Sequence, residues 1–254
     1  MRNINYFKTG GIFAGANGVK RFFPKTGWLI SAIAIIAICG YGNTVRSQQK
    51  PANVFVIPIS GDVEPGMAAF LKRALNDVPD TADTVIVVEM NTFGGRVDSA
   101  LEMVDALINV KNAKTIAFVT VKAISAGALI SLACNQLVMK NNTTIGDCAP
   151  INFSKEGPKM MGEKFQSPLR AKFRTLAKRN GYPAVLAEAM VTADMQVYRV
   201  KLDDNLVFMD AQEYQDLGKD QQDSITFKET IVAKGELLTM DDSEAHDLGF
   251  SSMS

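Results

Sequence analysis

Three times between residues 54 and 140 the chain passes from a short apolar run, through a turn of small or polar residues, into a run with helical periodicity. Residues 54–59 (Val-Phe-Val-Ile-Pro-Ile) predict a first strand, closed by Ser60-Gly61-Asp62. A helix over 65–76 follows, with Pro65 in its first turn, where a missing N–H costs nothing. Residues 84–90 are almost continuously apolar, the pattern of a strand covered on both faces. Val97, Ala100, Leu101, Val104, Leu107 and Ile108 then recur at helical spacing, predicting a helix over 96–110. The cycle repeats with a strand at 115–121, a helix at 125–134 and a short strand at 136–140. Strand alternating with helix specifies the α/β class, a mostly parallel sheet with crossover helices.

Beyond Pro150 the pattern changes. Residues 152–163, rich in Ser, Lys, Glu, Gly, Pro and Met, lack periodicity and read as a mobile loop. Residues 164–180 predict a basic amphipathic helix with Phe165, Leu169, Phe173, Leu176 and Ala177 on one face and Gly181 closing it. Pro183 opens another helix through Met190. Strand-like pieces at 197–200, 205–209 and 224–232 predict an accessory antiparallel element ahead of a last short helix.

Two turns carry the candidate chemistry. Asn91-Thr92-Phe93-Gly94-Gly95 and Ile124-Ser125-Ala126-Gly127-Ala128 each stand where a strand hands over to a helix, and in an α/β sheet such positions gather along one edge. The paired glycines leave backbone N–H groups unobstructed, and the second turn presents one hydroxyl at a helix start, so together they suit an oxyanion hole beside a nucleophile. The plain alternative is a strand-to-helix turn and a serine N-cap. The base is limited by composition, because the chain holds one histidine, His246, within the polar stretch 241–249. A solvated surface imidazole is expected there, which makes a lysine the leading base, in the Ser-Lys variant of the triad logic.

The first fifty residues differ from the rest. Arg2, Lys8, Lys20, Arg21 and Lys25 precede an apolar run from Trp28 to Cys39, and no acidic residue occurs before Asp62. Residues 1–27 form a basic segment, 28–42 a signal anchor or a signal peptide, 43–53 a linker, and 54–254 the body. The uninterrupted run is shorter than the roughly 20 residues that span hydrocarbon, and glycines extend it. The long basic flank and the lack of a small-x-small cleavage site favour the anchor. The positive-inside rule then leaves the body outside the cytoplasm, single-pass, or secreted or periplasmic if the segment is cleaved.

Lys plus Arg and Asp plus Glu each number 27, leaving no electrostatic footprint for nucleic acid. Three cysteines make no disulfide framework; Cys39 belongs to the apolar run, and Cys134 and Cys148 are expected as buried thiols. No Cys/His spacing suits zinc, so neither metal nor cofactor is expected.

Val56-Ile57-Pro58-Ile59-Ser60-Gly61, Asn91-Thr92-Phe93-Gly94-Gly95-Arg96-Val97, Ala123-Ile124-Ser125-Ala126-Gly127 and Thr143-Thr144-Ile145-Gly146-Asp147-Cys148-Ala149-Pro150, in that order, resemble the NfeD-type membrane-bound serine proteases of the ClpP class. The resemblance covers roughly residues 54–195 and continues weakly to residue 254. It implies a ClpP/crotonase-like fold, a Ser-Lys dyad, an active site outside the cytoplasm or close to the membrane, and homo-oligomers built from dimers. It also implies apolar peptide substrates, including the C-terminal region of stomatin-like membrane proteins. By position Ser125 is the nucleophile, Gly95 and Ala126 supply oxyanion N–H groups, and Gly94 shapes the turn. Lys164 fits best as the base, with Lys155 and Lys159 as rivals.

A lysine base must be neutral near pH 7, which needs an apolar pocket that Met160, Met161 and Phe165 could supply. Two features depart from the family. Phe93 stands where proline is usual, and functions housed in the C-terminal membrane helices and OB-like domain of longer members are not expected of residues 1–254. A catalytically weak ClpP-like peptide-binding scaffold is the alternative, and a crotonase-type acyl-CoA enzyme a third reading on the same architecture.

Overall fold

A run of parallel pairings organises the chain, and a computed structural model describes it for residues 2–3 and 53–252. A two-residue β1 (Arg2–Asn3) lies antiparallel against the outer edge of β2 (Asn53–Ser60). The chain then crosses through α1 (Pro65–Asn76) into β3 (Thr84–Thr92), through α2 (Val97–Ile108) into β4 (Lys114–Ile124), and through α3 (Ala126–Ala133) into β5 (Gln136–Met139). The β2–β3, β3–β4 and β4–β5 pairs are parallel, as the strand–helix alternation predicts. Along β3 buried and half-buried residues alternate without an exposed one, because helices and neighbouring strands cover both faces.

The strand β6 (Thr144–Gly146) had no signal in the sequence, being three residues long with a single apolar side chain, Ile145. It pairs in parallel with the last residues of β4, Lys122 to Ile124, and brings residues 144–148 beside the start of α3. Residues 152–163 are likewise not a structureless loop. They contribute to an antiparallel hairpin of β7 (Ile151–Ser154) and β8 (Gly157–Met160), whose turn is closed by the Ser154 hydroxyl donating to the Gly157 carbonyl at 3.0 Å. Four-residue strands carry too few apolar positions for a period to register.

The helix α4 (Glu163–Asn180) buries Leu169, Phe173, Leu176 and Ala177 and ends on Gly181 at φ 78°. Phe165, expected on the same face, is instead 52% exposed, lying in the first turn ahead of the packed part. Arg174 reaches α5 (Ala184–Ala189) through two hydrogen bonds of 2.5 and 2.7 Å to Glu188, which accounts for a carboxylate buried at that position. The accessory element is the expected antiparallel sheet, β10 (Asn205–Asp210) and β11 (Phe227–Val232) flanking β9 (Val197–Leu202). Two short helices, α6 (Ala211–Asp216) and α7 (Lys219–Asp223), separate its outer strands in sequence, and β12 (Thr239–Asp241) and α8 (Asp242–Asp247) close the chain, β12 returning antiparallel onto β6.

All eight residues of α3 are buried. Their small size lets the helix sit directly on the sheet: a Cβ on Gly127 would lie 2.7 Å from the Thr92 Cγ2 methyl. The expected basic segment, apolar segment and linker lie outside the described residues, apart from Arg2, Asn3 and Asn53. Among the described residues no helix is long and apolar enough to cross a membrane.

Candidate active site

The end of β3 is organised by one buried hydroxyl. Thr92, 2% exposed, donates to the Gly61 carbonyl at 2.6 Å and accepts the Gly94 N–H at 2.9 Å, tying the glycine turn to the loop after β2. The Val63 N–H donates to Gly94 O at 2.8 Å and the Arg96 N–H to Val63 O at 2.7 Å, clamping Gly95 between them. No side chain fits there, since a Cβ on Gly95 would lie 2.2 Å from the Val63 carbonyl oxygen. Gly94, at φ 104°, is equally constrained: its Cβ would meet the Ser125 Cβ at 2.7 Å. The two turns singled out in the sequence are therefore in van der Waals contact.

Ser125 occupies a backbone conformation that L-residues seldom adopt, φ 55° and ψ −119°. Its backbone is held at both ends. The N–H donates to Gly146 O at 2.9 Å, and the carbonyl accepts the Ala128 and Leu129 N–H groups at 3.0 and 3.3 Å and the Cys148 thiol at 3.4 Å. The hydroxyl, by contrast, makes no capping hydrogen bond to α3, so a plain N-cap does not explain the serine. Neither the Gly95 nor the Ala126 N–H has a hydrogen-bond partner among the described residues.

These groups border a cavity of about 740 Å³. Its floor is apolar, made by the buried Ala100, Leu129, Leu169 and Phe173, and its rim carries Phe93, Val97 and Ile151. The combination of a half-buried hydroxyl, two uncommitted N–H donors and an apolar floor can receive a carbonyl group and hold a developing oxyanion. Cys148 also lines the cavity, yet burial, reinforced by the Asp147 charge, pushes its thiol well above the ordinary range. It stays protonated, a hydrogen-bond donor to Ser125 and not a competing nucleophile. Cys134 is a second buried thiol, raised by burial to about 12, and both are free as expected.

Four of the five candidate residues thus meet: Ser125, Gly94, Gly95 and Ala126 all line the cavity. Lys164 does not; it is exposed in the first turn of α4. Lys155 and Lys159 are exposed on the β7–β8 hairpin, Lys159 paired with Glu156, and neither lines the cavity. His246 is exposed on α8, 3.5 Å from Asp247, in the solvated setting expected of it. The parts that Thr92, Val63, Gly146 and Cys148 play in holding the two turns are not legible in the sequence. All but Val63 fall inside the quoted motifs, but their contacts depend on residues far along the chain.

At the cavity edge the Arg96 guanidinium binds Asp98 with two hydrogen bonds, of 3.0 and 2.5 Å. That guanidinium, helped by the Ser99 N–H, holds the Asp98 carboxyl down at about 2. A depressed carboxylate is charged, and its pair intact, throughout the neutral range, and loses the partner only as pH falls through that value. A carboxyl-detected NMR titration of Asp98 is expected to give a midpoint near 2, rising toward the usual carboxylate range in Arg96→Met. An unshifted wild-type midpoint would show that the pair does not persist in solution.

Residues 53–222 match the family model described as NfeD1b, N-terminal domain. Membrane protein NfeD1b of Bacillus subtilis is 27% identical over 225 residues, covering 89% of this chain and 44% of that protein. Membrane-bound protease PH1510 of Pyrococcus horikoshii is 26% identical over 151 residues, 57% of this chain and 34% of that protein. The chain spans less than half the length of either relative. Among solved structures, a serine-to-alanine mutant of the 1510-N membrane-bound stomatin-specific protease aligns over 80% of both chains with a TM-score of 0.58 and 21% identity. A lysine-to-alanine mutant of 1510-N in complex with a substrate peptide aligns over 80% of this chain and 74% of that one, with a TM-score of 0.57 and 21% identity. The likeness establishes a shared fold, the mostly parallel sheet with crossover helices.

Proposed function

From a chain that belongs to the family of NfeD1b N-terminal domains, we propose a membrane-associated serine endopeptidase that hydrolyses apolar peptide segments. One observation carries this reading: Ser125 is held in a rare backbone conformation with its hydroxyl uncommitted, beside two unpaired N–H groups at an apolar cavity. Ser125 Oγ attacks the peptide carbonyl carbon and Lys164 Nζ accepts the hydroxyl proton. The Gly95 and Ala126 N–H groups hold the oxyanion, with Gly94 shaping the turn. Lys164 returns the proton to the leaving amine, and water then cleaves the acyl-enzyme by the same route.

Lys164 precedes by five residues Leu169, which lines the cavity, so its side chain belongs to the element that walls the site. It serves as a base once drawn in from solvent to within reach of the Ser125 hydroxyl. The protease body is residues 54–254, tethered through residues 28–42 with the body outside the cytoplasm, and it assembles as homo-oligomers built from dimers. Stomatin-like membrane proteins are the proposed substrates, in line with the name of the 1510-N protease.

The test is cleavage of apolar peptides by the full chain and by Lys164→Ala. Loss of about 10³-fold or more in kcat, with binding retained, supports Lys164 as the base. Full activity in Lys164→Ala, with loss in Lys155→Ala or Lys159→Ala, would move that role to the hairpin. The exposure of all three lysines favours one second reading, a binding scaffold, which peptide binding without turnover in the wild type would establish.

A further inference from the structure

Phe93 is 70% exposed, immediately ahead of the paired glycines, and it lines the cavity. Single exposed apolar side chains are ordinary on protein surfaces. Here three share one rim, with Val97 41% and Ile151 50% exposed beside the same opening. The ring is also braced, because the Lys122 ammonium lies 3.4 Å from its centroid. One face of Phe93 is thereby occupied and the rest of the ring remains accessible.

We infer that Phe93 is a specificity-determining residue: with Val97 and Ile151 it forms a second apolar subsite, outside the buried floor of Leu129, Leu169 and Phe173. Lys122 is the positioning residue that holds the ring. The occupant is a peptide substrate with an uncharged apolar side chain on the rim and another in the floor. A Lys or Arg side chain is disfavoured on the rim, since the ring already carries one cation and a second would be repelled by it. An Asp or Glu side chain is disfavoured as well, because the rim is built of apolar side chains against which a carboxylate loses hydration, and the charged lining holds Asp62, Glu64 and Asp147 as well as Arg96. This inference rests on Ser125 being the nucleophile, and it adds that two positions of the substrate, and not one, are read for apolar character.

The experiment has two parts, both on the full chain. Labelling of wild-type Ser125 by a fluorophosphonate probe, located by peptide mass, tests the nucleophile alone; without labelling, that reading fails and the inference falls with it. With labelling in hand, kcat/KM is measured for peptides carrying leucine, serine, lysine or glutamate at each position flanking the cut. In the wild type, leucine should lead at two positions. In Phe93→Ala the leucine-to-serine ratio should fall about tenfold at one of them and stay unchanged at the other. In Lys122→Gln the KM of rim-apolar peptides should rise several-fold with kcat unaltered, and Lys122→Arg, which keeps a cation over the ring, should restore it. Labelling together with ratios unchanged in Phe93→Ala overturns the subsite and leaves the nucleophile standing.

Discussion

Ser125→Ala is expected to lower peptide hydrolysis by about 10⁴-fold or more, while the midpoint of thermal unfolding stays within a few degrees of the wild type. The first half follows from chemistry: among the described residues that line the cavity Ser125 alone carries a hydroxyl, and burial raises the Cys148 thiol well above its ordinary range, away from the reactive thiolate. The second half follows from the hydrogen bonds. All those that hold Ser125 involve its backbone N–H and carbonyl, which alanine keeps, and the hydroxyl that is removed makes no capping bond. The strain at φ 55° is common to both residues. Turnover measured beside a melting curve therefore separates the nucleophile from a merely structural serine. Unchanged turnover in the variant would place the chemistry elsewhere.

Gly95→Ala is expected to cost about 3 kcal/mol of stability as well as about 10²-fold or more in turnover, whereas Ser125→Ala loses turnover alone. The added Cβ would lie 2.2 Å from the Val63 oxygen, 2.7 Å from its nitrogen and 2.9 Å from its carbonyl carbon, all main-chain atoms that cannot swing aside. Relief requires parting Gly95 from Val63, which breaks the 2.8 and 2.7 Å hydrogen bonds on either side and displaces the N–H proposed to hold the oxyanion. Urea unfolding and peptide turnover on the same preparation read both effects. A variant with wild-type stability would show that the clamp on Gly95 is looser than these distances indicate.

What was legible in the sequence was whatever a period or a turn could encode. The apolar runs of β2, β3 and β4 announced a parallel sheet, and the glycine pair and the Ser125 turn announced the meeting point of their ends. The start of α1 is encoded locally, because Pro65 suits the first turn of a helix. What escaped were elements whose reason for forming lies elsewhere in the chain. β6 exists because β4 and β12 flank it, and the hairpin of β7 and β8 because its strands pair with each other. Thr92 is a further instance, a threonine whose hydroxyl matters only once Gly61 and Gly94 are folded around it.

Two of the four hydrogen bonds on the Ser125 backbone come from residues 146–148, and that short stretch is in turn fixed by Met190 and Leu238, far from it in sequence. Gly146 lies so close to Leu238 that a Cβ there would be 2.3 Å from its carbonyl oxygen, the Asp147 N–H donates to Leu238 O at 3.1 Å, and the Cys148 N–H donates to Met190 O at 2.7 Å. A ribosome delivers residue 125 long before residue 238. The serine turn therefore lacks part of its support until Leu238 has been delivered, so a growing chain carries Ser125 with its brace incomplete up to that residue.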